Sequence, residues 1–336
     1  MTRLLTRLTA FFAPILLALL LALLVTPMPQ PDESLVEPPL TLRALDVDSA
    51  AELEARFAEL DYNWPLTPGE AVPALSVVRF PADLARLSDV KRKKSLFFRA
   101  LLPLVLAENK GILEARQMVI DIFAKPPRSW TPHERDWLAS IAGLYRVFGD
   151  LGDARVQQKL LRRVDIVPPA LALAQAANES AWGSSRFAQL ANNLFGQWTY
   201  KESEGIVPLN RPEGAKYAVR KFESLDASVR AYLLNLNTNA AYRELRLKRE
   251  QMRRAGVPLD GAEMASGLRH YSARGEEYIA EIQAMIRVNR LAPFMQDLEL
   301  RPGEPQAVVE ELPAKAASQS GPTLAARLLA YFLNQG

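Results

Sequence analysis

The sequence predicts a mostly helical protein that contains one short segment of strands. Apolar residues recur at helical spacing through most of residues 42–149. Residues 199–222 instead carry turn signals at Glu204-Gly205 and Glu213-Gly214, with β-forming residues between and after them. The chain has 336 residues, about half of them apolar, which is enough for a sizeable core and suggests two folded regions.

The chain begins with a short basic flank, Arg3 and Arg7, followed by apolar residues 10–25. This pattern is typical of a signal peptide or a signal-anchor helix, and the run is near the lower limit for spanning a bilayer. Cleavage stays open because no A-x-A site follows. A buried core helix is a third reading, but the run has no polar face. A signal peptide and a signal-anchor helix both predict that the protein lies in the cell envelope, either in the periplasm or anchored in the inner membrane.

Five segments follow from composition and spacing: residues 1–25, the export segment; 26–41, a Pro-rich linker; 42–149, a helical domain; 150–292, a second domain; and 293–336, a low-complexity tail with a short amphipathic end. Three helices are predicted in the helical domain. Ser49 is suited to cap the first, and residues 91–123 form one long helix or a pair around Pro103. The third begins at Thr131-Pro132 and extends to Gly149.

Composition excludes several classes of site. The chain has no cysteine, which excludes disulfides, thiolate metal sites and a cysteine nucleophile. Its two histidines, His133 and His270, are far apart, which disfavours a His-rich metal site or a Ser-His-Asp triad. The formal charge of +3 is too small to indicate nucleic-acid binding. We therefore expect no metal, no other cofactor and no nucleic-acid partner.

One acidic residue, Glu179, lies in an otherwise apolar, alanine-rich helix over residues 168–183. Gly183 is suited to end this helix, and Ser184 to cap the next. Glu179 then lies in the last turn, where the partial negative charge of the helix end and partial burial both raise the pKa of a carboxyl. A raised pKa suits a general acid near neutral pH.

Two alternatives stay open at this point. Glu179 is also compatible with a purely structural role, as a buried acid paired with Arg186 or Arg220. Two aromatic residues, Trp198 and Tyr200, follow within a short distance and suit the faces of sugars, although aromatics here are equally compatible with core packing.

The stretch "AQAANESAWGSSRFAQLANNLFGQW" resembles the signature of the peptidoglycan-cleaving glucosaminidases of glycoside hydrolase family 73. Members of that family carry A-x-x-E-S-x-W-G, then a short helix, then N-N-L-F-G, and the resemblance covers about residues 164–291. It implies an α+β, lysozyme-like fold for residues 150–292. A helical lobe would carry the acid, and a small β-hairpin lobe, residues 199–222, would close the other side of a glycan cleft.

The same resemblance implies site residues. The family's catalytic glutamate falls on Glu179. The segment "GLRHYSARGEEYIAEI" is similar to the family's G-Y-A-T-D-P-x-Y-A pattern and places a cleft tyrosine on Tyr271, while "NTNAAYREL" places another on Tyr242. Core packing remains the alternative for both tyrosines. The expected substrate-binding residues are Trp182, Asn193, Phe195, Trp198, Tyr200, Tyr242 and Tyr271.

The sequence departs from the family in the second carboxylate. Family members often have a second glutamate on the β-lobe, and its position falls near residues 209–210, neither of which is acidic. Glu202, Glu204 and Glu213 are nearby, and we take Glu213, at the turn, as the second catalytic residue. Substrate assistance by a 2-acetamido group stays open as the alternative.

The resemblance implies an endo-β-N-acetylglucosaminidase that cleaves the β-1,4 bond after N-acetylglucosamine in peptidoglycan. A non-catalytic or very slow peptidoglycan-binding scaffold of the cell envelope is the alternative, which the missing acid favours and the intact E-S-x-W-G motif opposes. The expected partners are peptidoglycan glycan strands, and the inner membrane if the N-terminal segment is uncleaved.

Overall fold

The structure is a computed structural model, which describes residues 42–209 and 211–301. The helices are α1 (Ala50–Glu59), α2 (Val90–Phe123), α3 (Pro132–Leu144), α4 (Ala154–Arg163), α5 (Pro169–Ser180), α6 (Arg186–Ala191), α7 (Leu225–Thr238), α8 (Arg243–Ala255), α9 (Gly261–Ala265) and α10 (Glu276–Val288). The strands are β1 (Arg43–Leu45), β2 (Val72–Pro73), β3 (Leu75–Val77), β4 (Trp198–Thr199), β5 (Gly205–Ile206), β6 (Ala218–Arg220) and β7 (Leu300–Arg301).

The strands pair in three small sheets within the described residues. β1 runs parallel to β3, and β2 runs parallel to β7. The third sheet is antiparallel in the order β4-β6-β5, with Trp198 opposite Val219 and Gly205 opposite Arg220. This sheet lies within residues 199–222 apart from its first residue, so the predicted strand segment is confirmed. The fold class is α+β, as expected.

The predicted helix starts in the first region are confirmed. Ser49 caps α1, because its hydroxyl accepts a hydrogen bond from the Glu52 amide at 3.1 Å. Thr131 and Glu134 form a reciprocal capping box at the start of α3. The predicted end of this helix at Gly149 is too late. α3 ends at Leu144, and Arg146 adopts a left-handed conformation (φ 55°) that cannot continue a helix.

Helix α2 is one continuous helix of 34 residues with Pro103 inside it, rather than a pair of helices. Proline removes one backbone hydrogen bond from a helix interior. Residues 96–109 are buried on every side, so α2 is the central helix of the fold, packed against α5 and α7. This packing compensates for the hydrogen bond that is lost at Pro103.

The hydrophobic core does not divide at the predicted boundary between residues 149 and 150. One core cluster includes residues from both predicted domains, from Leu42 through Ile112 and from Ile166 through Leu298. A second cluster lies between the C-terminal part of α2, α3 and α4. The reason is the length of α2, which spans about 50 Å at 1.5 Å per residue and therefore contributes to both cores.

The predicted tail begins too early at residue 293. Met295 and Leu298 lie in the main core, and β7 pairs with β2. The described chain therefore packs on the fold up to residue 301. The predicted export segment (1–25), the linker (26–41) and the rest of the tail lie outside the described residues. Within residues 42–209 and 211–301, no helix is both long and apolar enough to cross a membrane.

A buried arginine connects α8 to the segment that leads into α5. Arg249 is only 1% exposed. Its guanidinium donates to the carbonyl oxygens of Arg162 (2.9 Å), Asp165 (3.0 Å) and Ile166 (2.6 Å). The carboxylate of Asp165 is also buried and accepts a hydrogen bond from Arg253 at 2.9 Å. A cation at these carbonyls satisfies the open end of α4 and fixes the chain shortly before Pro169, where α5 begins.

Two buried carboxyl groups share one arginine between α2 and α7. Glu108 and Asp226 hydrogen-bond to each other, and both contact the guanidinium of Arg230, which lies 2.9 Å from the Glu108 carboxylate. Burial raises the pKa of Glu108 to about 7, and the charge of Asp226 adds to this rise against the opposing effect of Arg230. The folded protein therefore holds this proton more tightly than the unfolded chain does.

This pair makes stability depend on pH. The stabilisation from protonated Glu108 is fully present below about pH 4.5, and it is lost as the pH rises through about 7. Glu108→Gln keeps the hydrogen bonds and removes the titration. We expect the fall in Tm between pH 5 and pH 8 to be smaller in this variant than in the parent. Glu114→Gln, on the exposed side of the same helix, is the control. Identical pH profiles for parent and Glu108→Gln would contradict the prediction.

Candidate functional site

Helix α5 is buried along most of its length and carries one acidic side chain, Glu179, in its last turn. It begins at Pro169, where a proline costs no hydrogen bond, and every residue from Pro169 to Ala177 is buried. Small residues allow close packing: a Cβ built on Gly261 of α9 would lie only 3.0 Å from the Leu171 backbone nitrogen. Glu179 is half-buried in the last turn, as the sequence predicted.

The end of α5 differs from the prediction. The helix ends at Ser180 rather than Gly183, because Ala181, Trp182 and Gly183 all adopt left-handed conformations, with φ of 50°, 61° and 74°. The Ser180 hydroxyl holds this turn by accepting from the Gly183 amide at 2.9 Å. The next helix, α6, is capped by Ser185 rather than Ser184.

A chain of hydrogen bonds leads from the core to the carboxyl group of Glu179. The Tyr232 hydroxyl donates to Gln175 Oε1 at 2.7 Å, and Gln175 Nε2 donates to the Tyr278 hydroxyl at 2.8 Å. The Tyr278 hydroxyl in turn hydrogen-bonds to Glu179. Because that hydroxyl already accepts from Gln175, its own proton is directed toward the carboxyl group. Gln175 is completely buried, so the chain is rigid on its inner side.

Four tyrosines, Tyr232, Tyr242, Tyr271 and Tyr278, surround Glu179, and we call them the tyrosine cluster. The Tyr271 ring lies 5.6 Å from that of Tyr242 and stacks on Tyr278 at 5.3 Å. Burial raises the pKa of all four phenols, and the charge of Glu179 raises each further. All four hydroxyls therefore stay protonated and neutral around the carboxyl group.

The electrostatic setting of Glu179 favours its protonated form. Burial raises the pKa of this carboxyl. Hydrogen bonds from Tyr278 and Asn178 and the charge of Arg274 act in the opposite direction, but the pKa stays above its ordinary value. The predicted direction of the shift is confirmed. The positive charge that acts on this carboxyl is that of Arg274. The guanidinium groups of Arg186 and Arg220 instead lie over the rings of Phe187 and Phe222.

The loop after α6 packs against the tyrosine cluster and passes close to Glu179. Gly196 adopts a left-handed conformation (φ 65°), and a Cβ built on it would lie 3.8 Å from Glu179 Oε2. The Tyr271 hydroxyl donates to the Phe195 carbonyl oxygen at 3.1 Å, and the Phe195 ring stacks on Tyr232 at 3.8 Å. The loop therefore brings the backbone of Gly196 close to the carboxyl group of Glu179.

Asn193 holds this loop rather than facing a cleft, contrary to its prediction as a substrate-binding residue. Its side-chain amide donates to the carbonyl oxygens of Gln197 (2.8 Å) and Arg220 (2.9 Å). Its side-chain oxygen accepts from the amides of Phe195 and Gln197. Both ends of the side chain are thus used by backbone groups, and the residue is only 2% exposed.

Trp182 was also predicted to bind substrate, but its ring packs away from Glu179. It lies edge-on to Phe97 (5.7 Å) and Phe98 (5.2 Å) of α2, with the Lys94 ammonium 4.5 Å above it. The left-handed backbone at Trp182 turns the ring toward α2. Tyr242 and Phe195 are likewise buried, at 8% and 3% exposure, and line the inner side of the site.

The β-lobe carries the exposed members of the predicted set. Trp198 and Tyr200 are 55% and 83% exposed. The Trp198 ring meets the Tyr217 ring edge-on at 4.7 Å, which fixes its orientation. Glu213 lies exposed in the turn before β6.

The other two acids of the β-lobe are paired: Glu202 forms an ion pair with Arg211, and Glu204 with Lys201 at 3.0 Å. Glu213 is therefore the one of the three predicted acids for which the structure records no such pair.

The sequence reasoning missed Gln175, Tyr232 and Tyr278 as parts of the site. Gln175 lies one helical turn before Glu179, and that spacing was a usable signal. Tyr278 lies seven residues after Tyr271, one residue beyond the place of the second tyrosine in the G-Y-A-T-D-P-x-Y-A pattern, so it too gave a signal. Tyr232 carried no signal, because its role depends on a contact with Gln175, 57 residues away.

The chain is similar to a known protein family and to a protein of Escherichia coli. A family profile described as "Glucosaminidase: Mannosyl-glycoprotein endo-beta-N-acetylglucosaminidase" matches residues 154–291. A protein of Escherichia coli (strain K12) named "Protein bax" is 32% identical over 209 residues, which cover 62% of this chain and 74% of that protein. No solved structure shows a significant match.

The matched residues contain α5, the tyrosine cluster and the β-lobe, so the α+β, lysozyme-like fold expected from the sequence is confirmed. The domain is that of a peptidoglycan-related glycosidase. The chain belongs to the glucosaminidase family, as a Bax-like member of it.

Proposed function

We propose that this protein is an endo-β-N-acetylglucosaminidase that cleaves the β-1,4 bond after N-acetylglucosamine in peptidoglycan. The observation that supports it is the setting of Glu179: a half-buried carboxyl at a helix end, inside a cluster of neutral tyrosines, with a raised pKa. A general acid works best when its pKa lies near the working pH. The glucosaminidase profile supports the class of reaction.

In the first step, the Glu179 carboxyl transfers its proton to the glycosidic oxygen. The bond between C1 and this oxygen breaks, its electron pair stays with the oxygen, and positive charge develops at C1. The hydrogen bond from Tyr278 keeps the carboxyl in one orientation, while Gly196 leaves room beside Oε2. Positioning of this kind supplies much of the rate enhancement in enzymes.

The second step needs a group that stabilises C1 and activates water. We propose Glu213 for it, because it lies exposed in the β-lobe turn and is not paired as Glu202 and Glu204 are. The alternative is the 2-acetamido oxygen of the substrate. Single-turnover cleavage separates them. Glu213→Gln should approach the loss of Glu179→Gln, with Glu202→Gln nearly silent. Full activity in Glu213→Gln, together with inhibition by an N-acetylglucosamine-thiazoline, would assign the step to the substrate.

We further propose that the exposed aromatics of the β-lobe bind the glycan. Trp198 and Tyr200 present large apolar surfaces to solvent, and the contact with Tyr217 holds the Trp198 ring in place. Tyr242, Tyr271 and Phe195 would contribute from the inner side, with Tyr271 supporting the loop through its hydroxyl. Amphipathic rings with a fixed orientation suit the alternating polar and apolar faces of sugars.

The second candidate is a peptidoglycan-binding scaffold without turnover, and the lack of an acid at residues 209 and 210 themselves favours it. Incubation with purified sacculi distinguishes the two. An enzyme releases soluble fragments in proportion to time, whereas a scaffold sediments with the sacculi and releases none. We expect release. Sedimentation with no soluble fragments after prolonged incubation would leave only the scaffold.

A peptidoglycan substrate places the domain in the cell envelope. We propose the periplasm, with residues 1–25 as the segment that directs export and, if uncleaved, anchors the chain in the inner membrane. N-terminal sequencing of the protein from a membrane fraction and from a periplasmic extract tests this. Recovery of the intact chain in the cytoplasm alone would contradict it.

A further inference from the structure

Two opposite charges lie at the outer side of the tyrosine cluster. Arg274 belongs to the loop that leads into α10, and Glu281 lies on α10 itself. The two side chains form an ion pair and remain 51% and 40% exposed. Among the charged groups near Glu179, Arg274 and Glu281 are the two that act on its carboxyl most strongly.

Tyr278 connects this pair to the carboxyl group. It lies one helical turn before Glu281 on α10, so both side chains share a face. The Arg274 guanidinium carbon is 5.9 Å from the centre of the Tyr278 ring, and the Tyr278 hydroxyl hydrogen-bonds to Glu179. The ion pair therefore touches the ring whose hydroxyl holds the acid.

The pair is also accessible from solvent. Residues 269–276 line an open depression with a volume of about 590 Å³, and Arg274 is one of its lining residues. Gly275 follows in a positive-φ conformation (φ 52°) and ends the loop at the start of α10. Arg274 is therefore at the edge of the site rather than locked in the core.

The remaining groups that face Glu179 carry no charge near neutral pH. Gln175 and Asn178 come from its own helix, Tyr232 from α7, Tyr242 from the segment between α7 and α8, and Tyr271 and Tyr278 from the loop and α10. The loop at Gly196 presents backbone only. One further ionised group acts on the ion pair itself: Glu277, the residue before Tyr278 on α10, lies near Arg274 and acts on its charge.

We propose that the ion pair of Arg274 and Glu281 determines, through its two opposite charges, the pH range in which Glu179 carries its proton. Both are positioning residues that act on the acid and not on the substrate. As a determinant of catalysis, this role rests on the proposed function, because only a glycosidase uses that proton. The charge coupling itself does not depend on turnover.

The sign of each effect follows from electrostatics. The negative charge of Glu281 raises the pKa of Glu179, and the positive charge of Arg274 lowers it. Glu281→Gln removes the negative charge that raises the pKa of Glu179. It also frees Arg274 from its ion pair, and both changes lower the pKa of Glu179. Arg274→Gln does the reverse. A general acid is active when protonated, so the alkaline limb of kcat/KM should move to lower pH in Glu281→Gln and to higher pH in Arg274→Gln.

The pH profile of kcat/KM tests the proposal in four variants. On the alkaline limb, we expect Glu281→Gln to be about twofold to fivefold slower than the parent and Arg274→Gln to be faster by a similar factor, as is typical of half-exposed charge pairs. The double variant should return toward the parent. Glu263→Gln, exposed on α9, makes the same change in net charge and should leave the profile unchanged. If the alkaline limbs of the kcat/KM profiles are the same for the parent and Glu281→Gln, the proposal is overturned.

A second measurement needs no turnover. With ¹³C-labelled glutamate side chains, the carboxyl signal of Glu179 is assigned by its absence in Glu179→Gln and then titrated. Its midpoint should move down in Glu281→Gln and up in Arg274→Gln. If the midpoints move while no variant cleaves peptidoglycan, the charge coupling holds and the proposed function fails. If the midpoints do not move in folded variants, the proposal fails whatever the activity.

Discussion

Glu179→Gln is expected to lower kcat for peptidoglycan cleavage by about 100-fold to 10,000-fold, the range typical of losing a general acid. The amide has nearly the same shape as the carboxyl but no acidic proton to give to the leaving oxygen. Its side-chain oxygen still accepts the hydrogen bond from Tyr278, so the chain through Gln175 to Tyr232 remains intact. The loss should therefore appear in kcat, with little change in the affinity for sacculi.

Release of soluble fragments from sacculi, together with the thermal midpoint, measures this result. Glu204→Gln is a matched control, because it makes the same chemical change at an exposed position of the β-lobe that is already paired with Lys201. It should retain most of the activity. Unchanged turnover in a folded Glu179→Gln variant, with the midpoint of the parent, would remove Glu179 from the mechanism.

Arg249→Met is expected to cause the largest loss of stability, about 3–5 kcal/mol in the free energy of unfolding. The substitution keeps the apolar stem and removes the guanidinium. Three carbonyl oxygens then lose a buried donor, those of Arg162, Asp165 and Ile166. The buried carboxylate of Asp165 also loses a neighbouring cation. Unsatisfied buried polar groups cost far more than exposed ones.

Urea unfolding of the parent and two variants checks this value. Arg254→Met is the control on the same helix, because Arg254 is 63% exposed and pairs with Glu250 at the surface. Its loss should stay below about 1 kcal/mol. Equal losses in the two variants would show that Arg249 contributes no more than a surface arginine. Since the chain held by Arg249 leads into α5, activity should fall together with stability.

The helix that carries the acid was predictable because its signals are local. Pro169, the run of alanines and the position of Glu179 in the last turn are all readable within one helix. The end of that helix was not, because Ala181 and Trp182 adopt left-handed conformations that non-glycine residues rarely adopt. That turn also explains why Trp182, adjacent to the acid in sequence, faces α2 instead.

The surroundings of the acid depend on contacts between distant parts of the chain. Gln175 meets Tyr278, which lies 103 residues later, and no local pattern predicts that contact. Asn193 shows the converse error. Its place in the N-N-L-F-G motif suggested a role in binding, yet its side chain is used entirely by the loop's own backbone. Similarly, α2 continues through Pro103 because tertiary packing overrides the local preference.

The reducing ends of the glycan fragments test the central claim most directly. Purified peptidoglycan is digested with the parent protein and with Glu179→Gln, the products are reduced with borohydride, and the new ends are identified by mass spectrometry. A glucosaminidase whose general acid is Glu179 should yield reduced N-acetylglucosamine ends with the parent and almost none with the variant. Reduced N-acetylmuramic acid ends, or equal yields from both proteins, would contradict it.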